Sequence, residues 1–342
     1  RIYTMIKSIL FILSATSVLM ASSLSQDATK AGLMPIPNSQ SELLKLIDNP
    51  KNHITDKKVS LGKKLYFDPR LSKSGFISCN SCHNLGEGGD DGIEAAVGHK
   101  WTVNPHHLNS PTVYNSVFNA RQFWDGRDPD LETQAQGPIQ AGPEMAATKE
   151  HVSTTINSMP SYVTEFQNAY GQDVKITFEK ITDTIGLFER TLVTPSPFDD
   201  FMNGDENALN TAQKDGLKTF IEVGCTSCHN GVGIGGGMNA FNVTATYKHM
   251  NVGDFKGDKY GMVKVSLLRN ITQTAPYFHN GMIKSLNEAI KEMARIQLGT
   301  KLTNKQAKSI EEFLKSLEGR KGVIAVPMLP ASSATTPAPN LN

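Results

Sequence analysis

The feature that most constrains this chain is a short cysteine motif that occurs twice. The pattern Cys-x-x-Cys-His appears as CNSCH at residues 79–83 and as CTSCH at residues 225–229, and together the copies use all four cysteines. Two thiols one helical turn apart can add to the two vinyl groups of one porphyrin, and the adjacent imidazole can then bind its iron. The sequence therefore predicts two covalently bound c-type haems. The predicted attachment residues are Cys79, Cys82, Cys225 and Cys228, and the predicted proximal iron ligands are His83 and His229.

Two other interpretations start from the same cysteines, namely a redox-active dithiol and a zinc site. Both leave unexplained why a histidine directly follows each cysteine pair. The haem interpretation accounts for the cysteines and the histidines together, so it is preferred.

A longer repeat surrounds the two motifs. Residues 61–89 resemble residues 215–236, because in each segment a short amphipathic stretch leads into the motif and glycines follow it. Between the copies, apolar residues such as Ile181, Ile185 and Phe188 recur at helical spacing, and strand signals are weak. We therefore expect a mainly α fold with two cytochrome c-like haem domains, each with one covalently bound c-type haem.

Two prolines in the stretch TPSPFDD, residues 194–200, mark the expected boundary between the domains. The N-terminal domain is predicted over residues 40–194 and the C-terminal domain over residues 195–320. Residues 321–342 are expected to pack back on the N-terminal domain and then to become disordered, since their end is rich in Pro, Ser, Thr and Ala.

The start of the chain has the layout of a secretory signal. An apolar run at residues 8–20 follows Lys7 and precedes small residues, and it is too short to span a membrane. We expect residues 1–22 to be a signal peptide that is removed on export, and the mature protein to be periplasmic with no stable membrane anchor. The 34 basic and 33 acidic residues give a net charge of +1, which argues against nucleic-acid binding.

The haem at the second motif raises the question of a methionine ligand, because an iron bound by His and Met is a high-potential electron-transfer centre. Ser285 and Glu288 have the spacing of a capping box that opens the helix LNEAIKEMARIQL, and Met293 lies on the apolar face of that helix. A core methionine is the alternative interpretation. The candidate ligands downstream of the motif are Met238, Met250, Met262, Met282 and Met293.

Aromatic, amide and carboxylate side chains are mixed between residues 118 and 145 in a way that an inert core avoids, since unpaired polar groups are costly to bury. Trp124, Gln134 and Glu144 are the candidate functional residues of this segment. Each also has a simpler interpretation: the tryptophan as core, the glutamine as an exposed residue and the glutamate as part of a helix start.

At this point the sequence resembles the bacterial di-haem cytochrome c peroxidases, over about residues 40–322. The blocks that carry the resemblance, in family order, are LGKKLYFDPRLS, SCNSCH, NSPTVYNSVFNARQFWDGR, QAQGPIQAGPEM, SPFDDF and LRNITQTAPYFHNG. The resemblance implies reduction of hydrogen peroxide to water with two electrons from a small exported redox protein, either a cytochrome c or a cupredoxin.

The resemblance also implies roles for the haem residues. His83 would bind the iron of a peroxidatic, low-potential haem in the N-terminal domain. His229 and Met293 would bind the iron of an electron-accepting, high-potential haem in the C-terminal domain. Trp124 matches the tryptophan that lies between the two haems and would carry electrons across.

Further matches concern the peroxide site. Glu144 corresponds to the distal carboxylate that moves a proton during O–O cleavage, and Gln134 corresponds to a distal hydrogen-bonding amide. His99 corresponds to a histidine that caps the peroxidatic iron in the oxidised, resting enzyme and leaves when the other haem is reduced. The glycine-rich and acidic loop before His99 has few apolar anchors, so it can move at modest cost.

The resemblance implies one calcium ion as well, at Asn109, Thr274 and Pro276, and a homodimer. Such a site would use side-chain and backbone oxygens, which a hard cation prefers. The chain departs from the family pattern in the longer loop TVNPHHLNSPT, where His106 and His107 are unusual. Both histidines are interpreted as solvent-exposed loop residues that could alter how the His99 loop moves.

Two other functions remain open at the level of sequence. A di-haem electron carrier would need neither Glu144 nor Gln134 as a distal proton shuttle. A relative that oxidises protein or small organic substrates through a high-valent di-haem state would tend to have Tyr in place of Met293.

Overall fold

The computed structural model describes residues 23–342, and the expected signal peptide at residues 1–22 lies outside them. The described chain is mainly helical, as predicted, and its one sheet pairs β1 Met238–Ala240 with β2 Met262–Lys264 in antiparallel register. The α-helices are α1 Leu24–Lys30, α2 Gln40–Ile47, α3 Asp56–Phe67, α4 Cys79–Cys82, α5 Leu131–Gln134, α6 Gln136–Gln140, α7 Lys149–Asn157, α8 Pro160–Tyr170, α9 Phe178–Arg190, α10 Pro197–Met202, α11 Thr211–Val223, α12 Leu286–Leu298 and α13 Asn304–Lys315.

The first hydrophobic core lies where α3 and α8 pack against α9. Gly62 allows the closest approach, because a Cβ atom at this position would lie 2.3 Å from the carbonyl oxygen of Thr184 on α9. One turn further along α3, Tyr66 packs edge-on against Phe188, with ring centroids 5.4 Å apart. Helix α3, which precedes the first cysteine motif, is therefore packed tightly in the first core.

The second core repeats this arrangement with α11 and α13. Gly216, the counterpart of Gly62 in the sequence repeat, would place a Cβ atom 2.1 Å from the carbonyl oxygen of Ser309. Phe220 on α11 packs against Phe313 on α13 with ring centroids 5.1 Å apart. Each cysteine motif thus follows a helix, α3 or α11, that packs closely against a partner helix at a glycine. The internal repeat in the sequence therefore corresponds to a repeated packing arrangement.

Helix α1 and the residues after it belong to the second core, which the sequence analysis missed. Ala28 and Leu33 are buried there, and Leu33 forms a parallel bridge with Gly231, two residues after the second motif. The Ile36 amide donates to the Asp199 carboxylate at 2.7 Å. From residue 23 onward, the described chain therefore runs from the second core to the first and back to the second.

The two cores meet at the predicted domain boundary. The first core ends at Leu192 and the second begins again at Phe198. Between them, the Thr194 hydroxyl oxygen lies 2.9 Å from the amide nitrogens of Asn115 and Asn270, one on each side of the boundary. These two cores, with a third and smaller cluster around Tyr247 and Tyr277 in the second half, fit the two-domain interpretation, and the division at residues 194 and 195 stays a prediction.

The segment from residue 321 to residue 342 contains no helix or strand and lies along the first core. Arg70 donates to the carbonyl of Pro330 at 2.8 Å, and the Asn340 amide donates to the carbonyl of Lys73 at 2.8 Å. The expected disorder at its end stays a prediction. Among residues 23–342, no helix is both long and apolar enough to cross a bilayer.

A buried ion pair joins four segments around the second core. The Arg269 guanidinium binds both oxygens of the Asp199 carboxylate, at 2.7 and 2.8 Å, and both side chains are fully buried. The same carboxylate accepts hydrogen bonds from the Ile36 amide and from Ser196, while Arg269 Nε donates to the carbonyl of Val232. Every strong donor and acceptor of the pair is therefore satisfied.

We expect Asp199→Asn to lower the free energy of unfolding by about 3–5 kcal/mol, because it leaves the buried guanidinium of Arg269 without a counter-charge. The matched control is Asp200→Asn, which breaks the exposed pair with Arg320 and should cost less than about 1 kcal/mol. Guanidinium denaturation of the holoprotein, followed by circular dichroism, measures both. Equal losses for the two variants would contradict a special role of the buried pair.

Candidate functional site

A cavity of about 480 Å³, called the first cavity below, lies beside the first cysteine motif. It brings together most of the residues that the sequence predicts for a peroxide site. Those that line it are Cys79, Cys82, His83, Trp124, Gln134 and Glu144.

Helix α4 sets the geometry of the first motif. It is a single turn, so it places the thiols of Cys79 and Cys82 one turn apart, and the His83 amide closes it on the carbonyl of Cys79 at 2.9 Å. The His83 Nδ1 atom lies 2.9 Å from the carbonyl oxygen of Pro111. A carbonyl only accepts, so Nδ1 carries the hydrogen and Nε2 keeps its electron pair for an iron.

The cysteines have the properties of neutral thiols in the unmodified chain. Burial raises the pKa of Cys82 to about 12 and that of Cys79 higher still. A redox dithiol needs a lowered thiol pKa instead. Among residues 23–342, no three His, Cys, Asp or Glu side chains are grouped so that they could hold a metal ion. Neither the dithiol nor the zinc interpretation is favoured by this arrangement.

Gln134 and Glu144 line the first cavity from either side of α6, since Gln134 precedes this helix and Glu144 follows it. Asp130 caps α5 by accepting from the Thr133 amide at 2.8 Å, and α5 ends at Gln134. Glu144 follows α6 and is half-buried. Burial raises the pKa of the Glu144 carboxyl, although the charges of Arg127 and His106 partly offset this effect. A carboxyl group with a raised pKa can both take up and release a proton near neutral pH.

His99 lies next to this cavity, but within the described chain it is not among the residues that line it. Its side chain is buried, at 7% exposure, and Nδ1 finds no hydrogen-bond partner among residues 23–342. The His99 amide donates to the carbonyl of Glu144 at 2.7 Å. Gly98 permits this contact, because a Cβ atom there would lie 2.1 Å from the carbonyl oxygen of Pro143.

The longer loop after His99 makes a contact that the sequence analysis did not anticipate. The His106 side chain is largely exposed, as interpreted, but its Nδ1 lies 2.9 Å from the Asp254 carboxylate in the second half of the chain. Both residues line the first cavity. His107 is only partly exposed, and its Nε2 is buried without a partner in the described part of the chain.

A second cavity, of about 170 Å³, lies beside the second motif and is lined by Cys225, Cys228 and His229. Helix α12 forms one wall with the face that the sequence predicted, from Leu286 through Ile290 and Met293 to Gln297. Of the five candidate methionines, all within the described chain, Met293 lines this cavity and the other four do not.

His229 is buried beside its cavity. Burial lowers the pKa of His229 to about 4, which favours the neutral imidazole, although backbone groups of Ile234 and Ser266 partly offset this effect. The Asn239 amide lies 2.9 Å from the Cys228 sulfur. A neutral imidazole beside two cysteines fits a covalently attached haem whose iron it binds.

Trp124 forms the wall between the cavities and lines both of them. Its Nε1 donates to the carbonyl of Asn109 at 2.9 Å, which fixes the ring, and its centroid lies 6.4 Å from that of His279. Lys264 lines both cavities as well and is buried. The sequence analysis did not single out Lys264; its signal is a lysine inside the apolar stretch MVKVSLL.

The candidate calcium ligands Asn109, Thr274 and Pro276 line a third, smaller cavity of about 60 Å³ at the junction of the two halves. The Asn109 amide nitrogen donates to the carbonyl of Ile93 at 2.7 Å, which leaves its side-chain oxygen as the remaining acceptor. The three candidate ligands therefore share one cavity.

A comparison with known proteins gives concordant results. A family model described as di-haem cytochrome c peroxidase matches residues 56–207. The cytochrome c551 peroxidase of Pseudomonas aeruginosa is 42% identical over 326 residues, which cover 92% of each chain. The cytochrome c551 peroxidase of Nitrosomonas europaea is 46% identical over 285 residues, which cover 81% of this chain and 84% of that protein.

Among solved structures, a MauG-like protein associated with microbial copper homeostasis has a TM-score of 0.68 over 80% of this chain and 92% of its own, at 23% identity. That similarity concerns the fold alone, whereas the two peroxidases match 92% and 81% of this chain in sequence. With this identity and coverage, the chain belongs to the di-haem cytochrome c peroxidase family and is an oxidoreductase of the peroxidase class.

Proposed function

We propose that this protein reduces hydrogen peroxide to water at the first cavity, with electrons that a small redox protein delivers through the second. The observation that carries the proposal is the asymmetry of the two cavities. Both contain a cysteine motif, but the first adds Gln134 and Glu144, whereas the second adds Met293. The donor is a cytochrome c or a cupredoxin, as the resemblance implies.

Each cavity would hold one haem c by its own residues. Cys79 and Cys82 would attach the first haem with His83 on its iron, and Cys225 and Cys228 would attach the second. His229 and Met293 would bind the second iron. When bound, the haems supply iron centres that exchange single electrons, so two of them match a substrate that takes two.

Glu144 moves the proton on which the reaction depends. Its carboxylate would take a proton from one peroxide oxygen and return it to the other, which leaves as water as the O–O bond breaks. The two electrons for this cleavage would come from the haems, and two protons from solvent convert the remaining oxygen to a second water. The raised pKa of Glu144, caused by burial, keeps this carboxyl able both to take up and to return a proton. Gln134 orients the peroxide by hydrogen bonding, since its amide reaches the same cavity.

Trp124 provides the path for electrons between the two halves. Its ring is held by the hydrogen bond to Asn109 and lines both cavities. The path between the cavities therefore passes through an aromatic ring rather than through saturated side chains. No bond has to form at Trp124 for this role.

The proposal includes a periplasmic location, a calcium ion at the third cavity and a homodimer. The apolar run at residues 8–20 supports export, and the clustering of Asn109, Thr274 and Pro276 around one cavity supports the calcium site. The homodimer is supported by the family resemblance.

We expect the half-reduced holoprotein to oxidise reduced cytochrome c when hydrogen peroxide is added, with two cytochromes consumed per peroxide. Stopped-flow absorbance of the cytochrome measures this ratio. A protein that carries both haems and exchanges electrons with the cytochrome but leaves peroxide untouched would be a carrier, and the proposal would be wrong.

Glu144→Gln should lower turnover by about 10²–10⁴-fold, because the amide keeps the shape of the side chain but cannot move a proton. Haem content and the reduction potentials should stay unchanged. Glu150→Gln, an exposed glutamate on α7, is the control and should turn over normally. Near-normal turnover of Glu144→Gln would remove this residue from the mechanism.

His99→Gly should be active without prior reduction if His99 caps the first iron in the resting state. An EPR spectrum of the oxidised variant should show the first haem changing from low spin to high spin. His53→Gly, an exposed histidine paired with Asp48, serves as the control. A variant that still requires reduction would show that His99 is not the cap.

A further inference from the structure

Lys264 is an unusual residue for the place it occupies. It ends strand β2, and its amide donates to the carbonyl of Trp124 at 2.8 Å. Its side chain is 6% exposed, and its Nζ lies 5.8 Å from the centroid of the Trp124 ring. It lines the first, second and third cavities, so this ammonium group stands at the wall where all three meet.

This buried cation has no counter-charge from the protein. Among residues 23–342, no carboxylate oxygen forms an ion pair with Lys264, and Asp125 acts on it only at longer range. Burial lowers the pKa of Lys264 to about 8, because an unpaired charge is unfavourable away from water. Proteins normally pair such a group, since an unpartnered buried charge is strongly destabilising.

The counter-charge for Lys264 has to come from a group that binds in the cavities. Hydrogen peroxide is neutral, and a calcium ion in the third cavity would repel an ammonium group. The electron donor is a protein that stays outside the wall. Haem c carries two propionate carboxylates at its edge, and both cavities that would receive haems reach Lys264.

We propose that Lys264 binds a haem propionate carboxylate at the wall between the two cavities and raises the reduction potential of that haem. This inference rests on the proposed haem loading of both cavities. A positive charge beside a haem stabilises the reduced iron, which carries one negative charge more than the oxidised iron. Because the carboxylate could belong to either haem, the haem whose potential changes identifies the source.

The test is Lys264→Met, which keeps the length and the apolar stem of the side chain but removes the charge. We expect the reduction equilibrium constant of the paired haem to fall about tenfold, which corresponds to about 59 mV for a one-electron couple. Spectroelectrochemical titration of the holoprotein resolves the two haems. A resonance Raman shift of the propionate bending band should accompany the change, and a role confined to packing would leave that band in place.

Lys264→Arg should restore most of the potential, since it keeps the charge at the wall. The matched control is Lys248→Met, a half-exposed lysine of the same half of the chain that pairs with Glu288, and it should shift neither potential. If Lys264→Met does not load haem, Lys264→Gln provides a polar replacement without charge.

Unchanged potentials and an unchanged propionate band in the uncharged variants would overturn the inference. That failure is distinct from a failure of the proposed function. The potentials are measured without peroxide, so they report on Lys264 even in a protein that does not reduce peroxide. Conversely, the wild-type protein could turn over peroxide normally even if the Lys264 variants left both reduction potentials unchanged.

Discussion

The buried pair between Arg269 and Asp199 is the contact on which the arrangement of the chain around the second cysteine motif depends. It ties the segment after α1 to α10 and, through the carbonyl of Val232, to the chain just beyond His229. The next residue, Asn270, donates to Thr194 at the domain boundary, where Asn115 also binds. One satisfied buried charge pair thus fixes the chain just beyond His229 and lies next to the junction of the two halves.

The junction matters to the proposed electron transfer between the two cavities, because Trp124 has to keep a fixed position between them. Trp124 and Lys264 are held to each other by a backbone hydrogen bond, and Trp124 is held to Asn109 by its indole nitrogen. The backbone amide of Asn109 in turn donates a hydrogen bond to the carbonyl of His279, which lines the second cavity. Each half of the chain therefore contributes to the position of the same aromatic ring.

Sequence reasoning worked where the signal is local. The mainly α fold, the helix that carries Met293 and the family were predicted from spacing, capping and short blocks, and are confirmed. It missed the packing of α1 on the second core, the burial of Lys264 and the contact of His106 with Asp254. These depend on contacts between residues far apart in the chain, which no periodic pattern records. The roles of His99, Gln134 and Glu144 stay predictions, although the latter two do line one cavity.

The loop that carries His99 is joined to both halves at its two ends. At one end, the His99 amide donates a hydrogen bond to the backbone carbonyl of Glu144, so a displacement of His99 breaks this contact. At the other end, His106 contacts Asp254, whose segment is held by Asn280 through the carbonyls of His249 and Val252. Asn280 adjoins His279, which lines the second cavity. A continuous set of contacts therefore runs from the second cavity, through the loop between His99 and His106, to the backbone of Glu144 beside the first cavity.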